Sequence, residues 1–181
     1  MKTENPEYVV LVDEQDKELG AMEKLQAHQE GKLHRAISVF IFNSKHELLL
    51  QKRADEKYHS AGLWTNTCCS HPRPDEAPEL AAHRRLDEEM GLDCDLRFAF
   101  TFIYKAHLDN NLTEHELDYV YIGVTDNLPK NNPAEVSNWK YISVNELDTD
   151  IKQYPNKYTE WFKICYTNWH KQLFNKNAPQ V

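Results

Sequence analysis

The sequence predicts an α/β fold, and three observations carry that expectation. Short apolar, β-branched runs recur along the chain; stretches with apolar residues at helical spacing fall between and after them; and clusters of turn residues separate the two kinds. Tyr8–Asp13 is a β-rich run, Glu14-Gln15-Asp16-Lys17 a polar turn, and Glu18–Glu23 a strand able to pair back as a hairpin. Lys24–His28 is helical and brief. Ala36–Phe42 is an apolar strand, Asn43–His46 a turn, and Glu47–Arg53 the returning strand. Ala54–Pro72, with Gly62, Trp64 and Pro72, reads as loop. A helix is predicted from about Glu76 to Met90: Leu80, Ala81, Arg84 and Glu88 share helical spacing, and Gly91 supplies the C-terminal stop. Leu96–Ala106, Leu117–Val124 and Trp139–Val144 are further strands, with a short helix over Glu146–Tyr154. A last helix, about Tyr158–Phe174, carries Trp161, Phe162, Cys165, Trp169 and Leu173.

With 181 residues, the chain suits one domain, residues 1–181, with room for a core and with flexible ends. Its net charge of −8, from 29 acidic against 21 basic residues, argues against a surface that reads nucleic acid. A local basic cluster can still hold a small anion. No apolar run approaches the ~20 residues of a membrane span, and no leading segment resembles a signal peptide. Cys68 and Cys69 are adjacent and pair poorly with each other. A reduced, cytoplasmic protein is therefore expected, with the monomer as default.

Chemistry concentrates in Thr65-Asn66-Thr67-Cys68-Cys69-Ser70-His71-Pro72 and in the acidic helix that follows. Glu114-His115-Glu116 adds two carboxylates at i and i+2, on one side of a strand if the segment is extended. His28, His34 and His71 are candidates to join Glu114 and Glu116 around one metal, a mixed nitrogen and oxygen set that suits Zn²⁺ or Mn²⁺. The remaining histidines (His46, His59, His83, His107, His115 and His170) read as surface or otherwise satisfied polar residues. Cys69 neighbours His71 and is expected to face the site, with Cys68 pointing the other way. Lys24, Arg53, Lys57 and Arg85 form a spaced basic set able to clamp a diphosphate through charge-assisted hydrogen bonds. Tyr104 and Trp161 are most simply core aromatics, although a tryptophan face also stabilises a cation.

The run Arg84-Arg85-Leu86-Asp87-Glu88-Glu89-Met90-Gly91-Leu92, with Glu76 eight residues before Arg84, resembles the Nudix box, which binds a divalent cation holding a diphosphate. Ser70 stands where that box has its glycine. Arg85 stands where it has a glutamate of the metal-holding group, which counts against pyrophosphate hydrolysis, while Glu89 remains to reach one Mg²⁺. Together with Val12-Asp13-Glu14-Gln15, Glu23-Lys24, His28, Thr65–Pro72 and Glu114-His115-Glu116, the chain from about Val10 through Trp169 resembles the type 1 isopentenyl-diphosphate isomerases, which keep the Nudix fold without hydrolysing.

That resemblance implies an α/β/α sandwich, a mixed β-sheet flanked by helices. It implies reversible isomerisation of isopentenyl to dimethylallyl diphosphate, Cys69 and Glu116 as the acid–base pair with Tyr104 assisting, and Trp161 against the reacting hydrocarbon. It maps metal ligands to His28, His34, His71, Glu114 and Glu116, taking Zn²⁺, Mn²⁺ or Mg²⁺. It puts Mg²⁺ with the substrate at Glu89, and anion contacts at Lys24, Arg53, Lys57 and Arg85. The chemistry agrees: shifting a double bond adds a proton at one carbon and removes one from another, through a tertiary carbocation that water would trap. No organic cofactor is needed, because no electrons leave the substrate. Two other readings compete, a Nudix diphosphate hydrolase and a binding module that kept the cradle without chemistry.

Overall fold

The computed structural model describes residues 6–57 and 59–173. The side chains of Trp169 and Leu173, the whole of Phe174 and the two chain ends lie outside the described residues.

Strands β1 (Tyr8–Val12) and β2 (Glu18–Glu23) form the antiparallel hairpin that the turn residues forecast, and α1 (Lys24–Glu30) follows at once. Glu23 caps that helix by accepting from the amides of Leu25 and Gln26. β3 (His34–Phe42) is the central strand, running parallel to β8 (Thr113–Val124), which pairs antiparallel with β7 (Leu96–His107). The sheet is therefore mixed, as expected.

β3 is buried on both faces, and its alternation sorts two cores. Ile37, Val39 and Ile41 pack with Ala81, Ala82, Leu86 and Met90 of α2 (Pro78–Met90). Phe40 and Phe42 pack with Leu147 of α3 (Val144–Gln153) and with Trp161 and Phe162 of α4 (Glu160–Leu173). Two apolar faces on one strand require helices on both sides. The result is an α/β/α sandwich.

The segment read as loop contains two short strands, β5 (Trp64–Thr65) and β6 (Cys68–Ser70). Two- and three-residue strands have no readable period, which is why the sequence pattern misses them. They fill a fork. β3 and β4 (Leu48–Arg53) pair only at Phe42 and Leu48; farther on, β6 pairs with β3 at residues 37–39 and β5 pairs with β4. β9 (Val136–Ile142) completes the other side of β4. Where the two strands part, buried side chains replace ladder partners. Thr67 Oγ1 donates to Leu49 O at 2.6 Å and accepts from Ile41 N at 2.9 Å, while Asn66 Nδ2 donates to Cys68 O at 2.8 Å and to Val39 O at 3.2 Å.

Three boundaries move in ways that matter for the site. β8 begins at Thr113 rather than Leu117, so Glu114 and Glu116 lie inside a strand. β3 begins at His34 rather than Ala36, directly opposite Glu116. α2 begins at Pro78 rather than Glu76, because proline presets the first helical turn. Gly91 ends α2 with φ 59°, and a Cβ there would stand 2.6 Å from the Lys130 carbonyl, so both conformation and space require glycine.

Candidate active site

At the β1 end of β3, three imidazoles converge on the carboxylates of β8. His28 Nδ1 lies 2.6 Å from Lys24 O, one turn back in α1, and His34 Nδ1 lies 2.8 Å from Lys32 O. Each carbonyl takes the Nδ1 proton, so each ring presents the Nε2 lone pair inward. Both Nε2 atoms are buried and have no hydrogen-bond partner among the described residues. His71, just after β6, places Nε2 2.9 Å from Glu116 Oε1, with His34 Nε2 3.6 Å from the same oxygen. One donor atom from each of His28, His34, His71 and Glu116 falls within 4.8 Å of the others.

An overlapping group joins His28 to Glu114 and His59. Burial pushes the imidazole of His71 down to about 3 and that of His59 to about 2, and it lowers His28 as well. These are neutral rings, the form that binds a metal. Buried nitrogen lone pairs without a partner, each ring oriented by a carbonyl behind it and set among carboxylates, fit a divalent cation.

His59, among the histidines expected to be surface or satisfied polar residues, is 7 % exposed; its Nε2 lies 3.9 Å from Glu114 Oε1, and its ring meets Trp161 edge-on at 5.8 Å. The irregular loop around it offered no periodicity from which this placement could be read.

Glu116 also receives the Tyr104 hydroxyl at 2.5 Å, and Glu114 accepts from the same hydroxyl at 3.0 Å. Within the pair, burial and the neighbouring charge push Glu114 well above the usual carboxylate range. Burial works on Glu116 too, but the imidazole of His71, at hydrogen-bond distance, works against it and that carboxyl is held low. Burial and the two carboxylates keep Tyr104 a neutral phenol. Asp118 extends the same face of β8, a period-two neighbour the sequence could have flagged. It is buried, accepts from Ser38 Oγ at 2.7 Å, and is pushed up to about 8 by burial and by Glu116.

Across the cleft, β6 pairs with the middle of β3 and turns Cys69 toward the α4 side while Cys68 joins the α2 core. The Trp161 indole donates its Nε1–H to Cys69 Sγ at 3.2 Å. Burial, helped by the charge of Glu89, pushes the Cys69 thiol up to about 12, so it is a protonated acid at neutral pH. Cys69, Tyr104, Glu114, Glu116 and Trp161 line one cleft.

The basic residues lie at the same cleft, each already engaged. Lys24 Nζ pairs with Glu7 at 2.8 Å. Arg53 donates to His59 O at 3.2 Å and lies 5.1 Å from the Trp161 ring centroid. Lys57 pairs with Glu135, a residue the sequence reading overlooked. Arg85, named as an anion contact, spends its terminal nitrogens on Glu88 and Glu89, each at 2.7 Å, and approaches Glu135 at 3.4 Å. Glu89 is 4 % exposed and also accepts from Gln51 at 2.8 Å. By contrast Arg84 turns away, gripping Glu76 through two bonds of 2.6 and 2.7 Å, which accounts for the spacing of eight between them.

The chain matches the NUDIX domain family over residues 32–162. It is 58 % identical over 158 residues to a Pectobacterium atrosepticum protein named isopentenyl-diphosphate Delta-isomerase, covering 87 % of this chain and 88 % of that one. A protein of the same name from Aliivibrio fischeri is 46 % identical, covering 94 % and 99 %. Among solved structures, a Deinococcus radiodurans protein superposes with a TM-score of 0.73 at 17 % identity, covering 89 % of this chain and 98 % of its own. The MutT protein of Methanosarcina mazei does so with 0.63 at 18 %, covering 77 % and 94 %. At such identities the structures share the fold.

Proposed function

The chain belongs to the Nudix family and, within it, to the isopentenyl-diphosphate Delta-isomerases; from that premise we propose how its own residues move the double bond. The enzyme converts isopentenyl diphosphate to dimethylallyl diphosphate and back. Cys69 and Glu116 are the acid–base pair, one on each side of the five-carbon tail. In one direction one of them delivers a proton to an end of the double bond, and the other removes a proton from the far carbon. Reversal exchanges the roles. Tyr104, a neutral phenol bonded to Glu116, carries or steadies the proton there. Trp161 covers the hydrocarbon and stabilises the developing tertiary cation with its ring face, worth about 1–2 kcal/mol when desolvated. A site closed to bulk water keeps that cation from being trapped.

His28, His34, His71, Glu114 and Glu116 would hold a divalent cation, and three nitrogens with two carboxylates suit Mn²⁺ or Zn²⁺. Glu89 would hold Mg²⁺ together with the diphosphate, whose oxygens Lys24, Arg53, Lys57 and Arg85 would contact. Bound there, the cations supply positive charge that orients and acidifies Glu116 and neutralises phosphate oxygens. Every one of these residues comes from a single chain, so a monomer of one domain suffices. A free thiol at Cys69 suits a reducing cytoplasm, and none of the four cysteines is in a disulfide. No helix among the described residues is long and apolar enough to cross a membrane.

The observation that carries this reading is the placement of Cys69, hydrogen-bonded by Trp161, and Glu116, among the imidazoles, on one cleft. Turnover of isopentenyl diphosphate in deuterated water tests it: deuterium should appear in dimethylallyl diphosphate. Folded, metal-loaded protein that incorporates none would refute the assignment. Phosphate release in place of isomerisation would favour hydrolysis, which Arg85 opposes by taking the position of a metal-holding carboxylate.

A further inference from the structure

We propose that Glu135 is a specificity-determining residue: it occupies the Lys57–Arg85 end of the cleft so that a diphosphate is admitted as its complex with a divalent cation and the bare anion is turned away. Glu135 has this part only if Lys57 and Arg85 hold the diphosphate, as proposed above.

The segment bearing Glu135 is pinned on both sides. Lys130 N and Asn132 N donate to the carbonyls of Met90 and Glu89 at the end of α2, at 2.8 and 2.9 Å, and Glu135 O accepts from Ala54 N at 3.0 Å. The backbone is thereby tied to α2 and to the residue after β4, which leaves side-chain rotation as the carboxylate's freedom. That carboxylate accepts from Lys57 Nζ and stands 3.4 Å from Arg85 Nη2, whose 2.7 Å partner is Glu89. Two cations thus face three carboxylates, those of Glu88, Glu89 and Glu135, and Lys57 and Arg85 offer no surplus positive charge.

A bare diphosphate would have to pull Lys57 and Arg85 off Glu135 while pressed against that carboxylate and Glu89. The Glu135 side chain is 24 % exposed, so water screens the repulsion only in part. A divalent cation arriving with the diphosphate cancels that repulsion, because its positive charge offsets the phosphate charge that Glu135 faces. Glu135 therefore charges a penalty to one form of the ligand and not to the other, which is how a repulsive element creates selectivity.

Titration calorimetry of inorganic pyrophosphate into the full chain, with and without Mg²⁺, tests this. Removing the charge in Glu135→Gln should tighten binding of Mg²⁺-free pyrophosphate by about 10- to 30-fold, the scale of one like-charge contact at partial burial. The Mg²⁺ complex should change by less than about threefold on the same scale. Glu135→Ser carries the same expectation should the glutamine variant fold poorly, and Glu135→Asp should keep most of the exclusion. Unchanged affinity for the bare anion in the charge-removed variants would overturn the proposal. So would selective weakening of the Mg²⁺ complex, which would make Glu135 a cation ligand. Lys57→Met separates the two levels: if it leaves Mg²⁺-pyrophosphate affinity intact, the clamp assignment itself falls and Glu135's part with it. If it weakens that affinity while the glutamine variant is inert, only Glu135's part is rejected.

Discussion

The two ends of the cleft are built on opposite principles. At the histidine end, His28 and His34 bury nitrogen lone pairs that no group among the described residues satisfies. At the clamp end, Lys24, Lys57 and Arg85 each have a carboxylate partner. The first end leaves lone pairs that suit a cation; the second pairs Lys24, Lys57 and Arg85 with carboxylates, yet the N–H groups at Arg53 Nε and Arg85 Nε are buried without a hydrogen-bond partner among the described residues, donors that suit an anion. The difference teaches that a buried group lacking a partner points to its ligand directly, because leaving it unsatisfied costs about 1–3 kcal/mol. A charged residue at a cleft says less, since it is usually paired already.

Substitutions at the reacting groups break the comparison most severely. Cys69→Ala and Glu116→Gln should each lower kcat/KM by about 10³-fold or more, at the upper range of general acid–base effects. Circular dichroism should show both variants folded; a Cys69→Ala enzyme with substantial turnover would dismiss the thiol as an acid or base.

Next come the histidines proposed as metal ligands. His34→Ala should cut divalent-metal affinity by at least about 100-fold, beyond the effect of losing an outer-shell partner. Metal content after dialysis reads this out, and a chelator should lower the melting temperature of the wild type far more than that of the variant. Full metal occupancy in the variant would mean that the orphaned nitrogens serve something else.

The clamp should respond through binding. Lys57→Met is expected to raise KM about 10-fold, the scale of one charge-assisted contact, with kcat nearly unchanged. Steady-state kinetics decides it, and a loss confined to kcat would move Lys57 away from the diphosphate. The smallest catalytic effect belongs to Arg84. Because Arg84 grips Glu76 instead of the cleft, Arg84→Met should leave KM within about twofold while costing roughly 1–2 kcal/mol of stability for a partly buried bidentate pair. Chemical denaturation measures the latter, and a large KM change would put Arg84 in the clamp beside Arg85.

Much of the site was legible because strand and helix periodicity are local properties. Glu114 and Glu116 share a face through a period of two, and Asp118 continues it; Cys68 and Cys69 part to opposite cores by the same alternation. The helix ends at Gly91 as its sequence requires. His59 and Glu135 escaped notice for a shared reason: both lie in irregular segments that no repeat describes. Gln51 is hidden differently, inside a strand whose apolar pattern gives no hint that its amide reaches Glu89.

The sequence by itself determined the order of the longer elements, the chemical cast and the family, because these depend on residue types and short spacings. Only the tertiary structure decided which charges cancel. The fork between β3 and β4 seats β6 and with it Cys69, the parallel β3–β8 ladder sets His34 against Glu116, and the pinned segment before β9 delivers Glu135 to Lys57 across 78 positions of sequence. Such pairings arise from packing distant segments together, and electrostatic energy depends on that final separation in space.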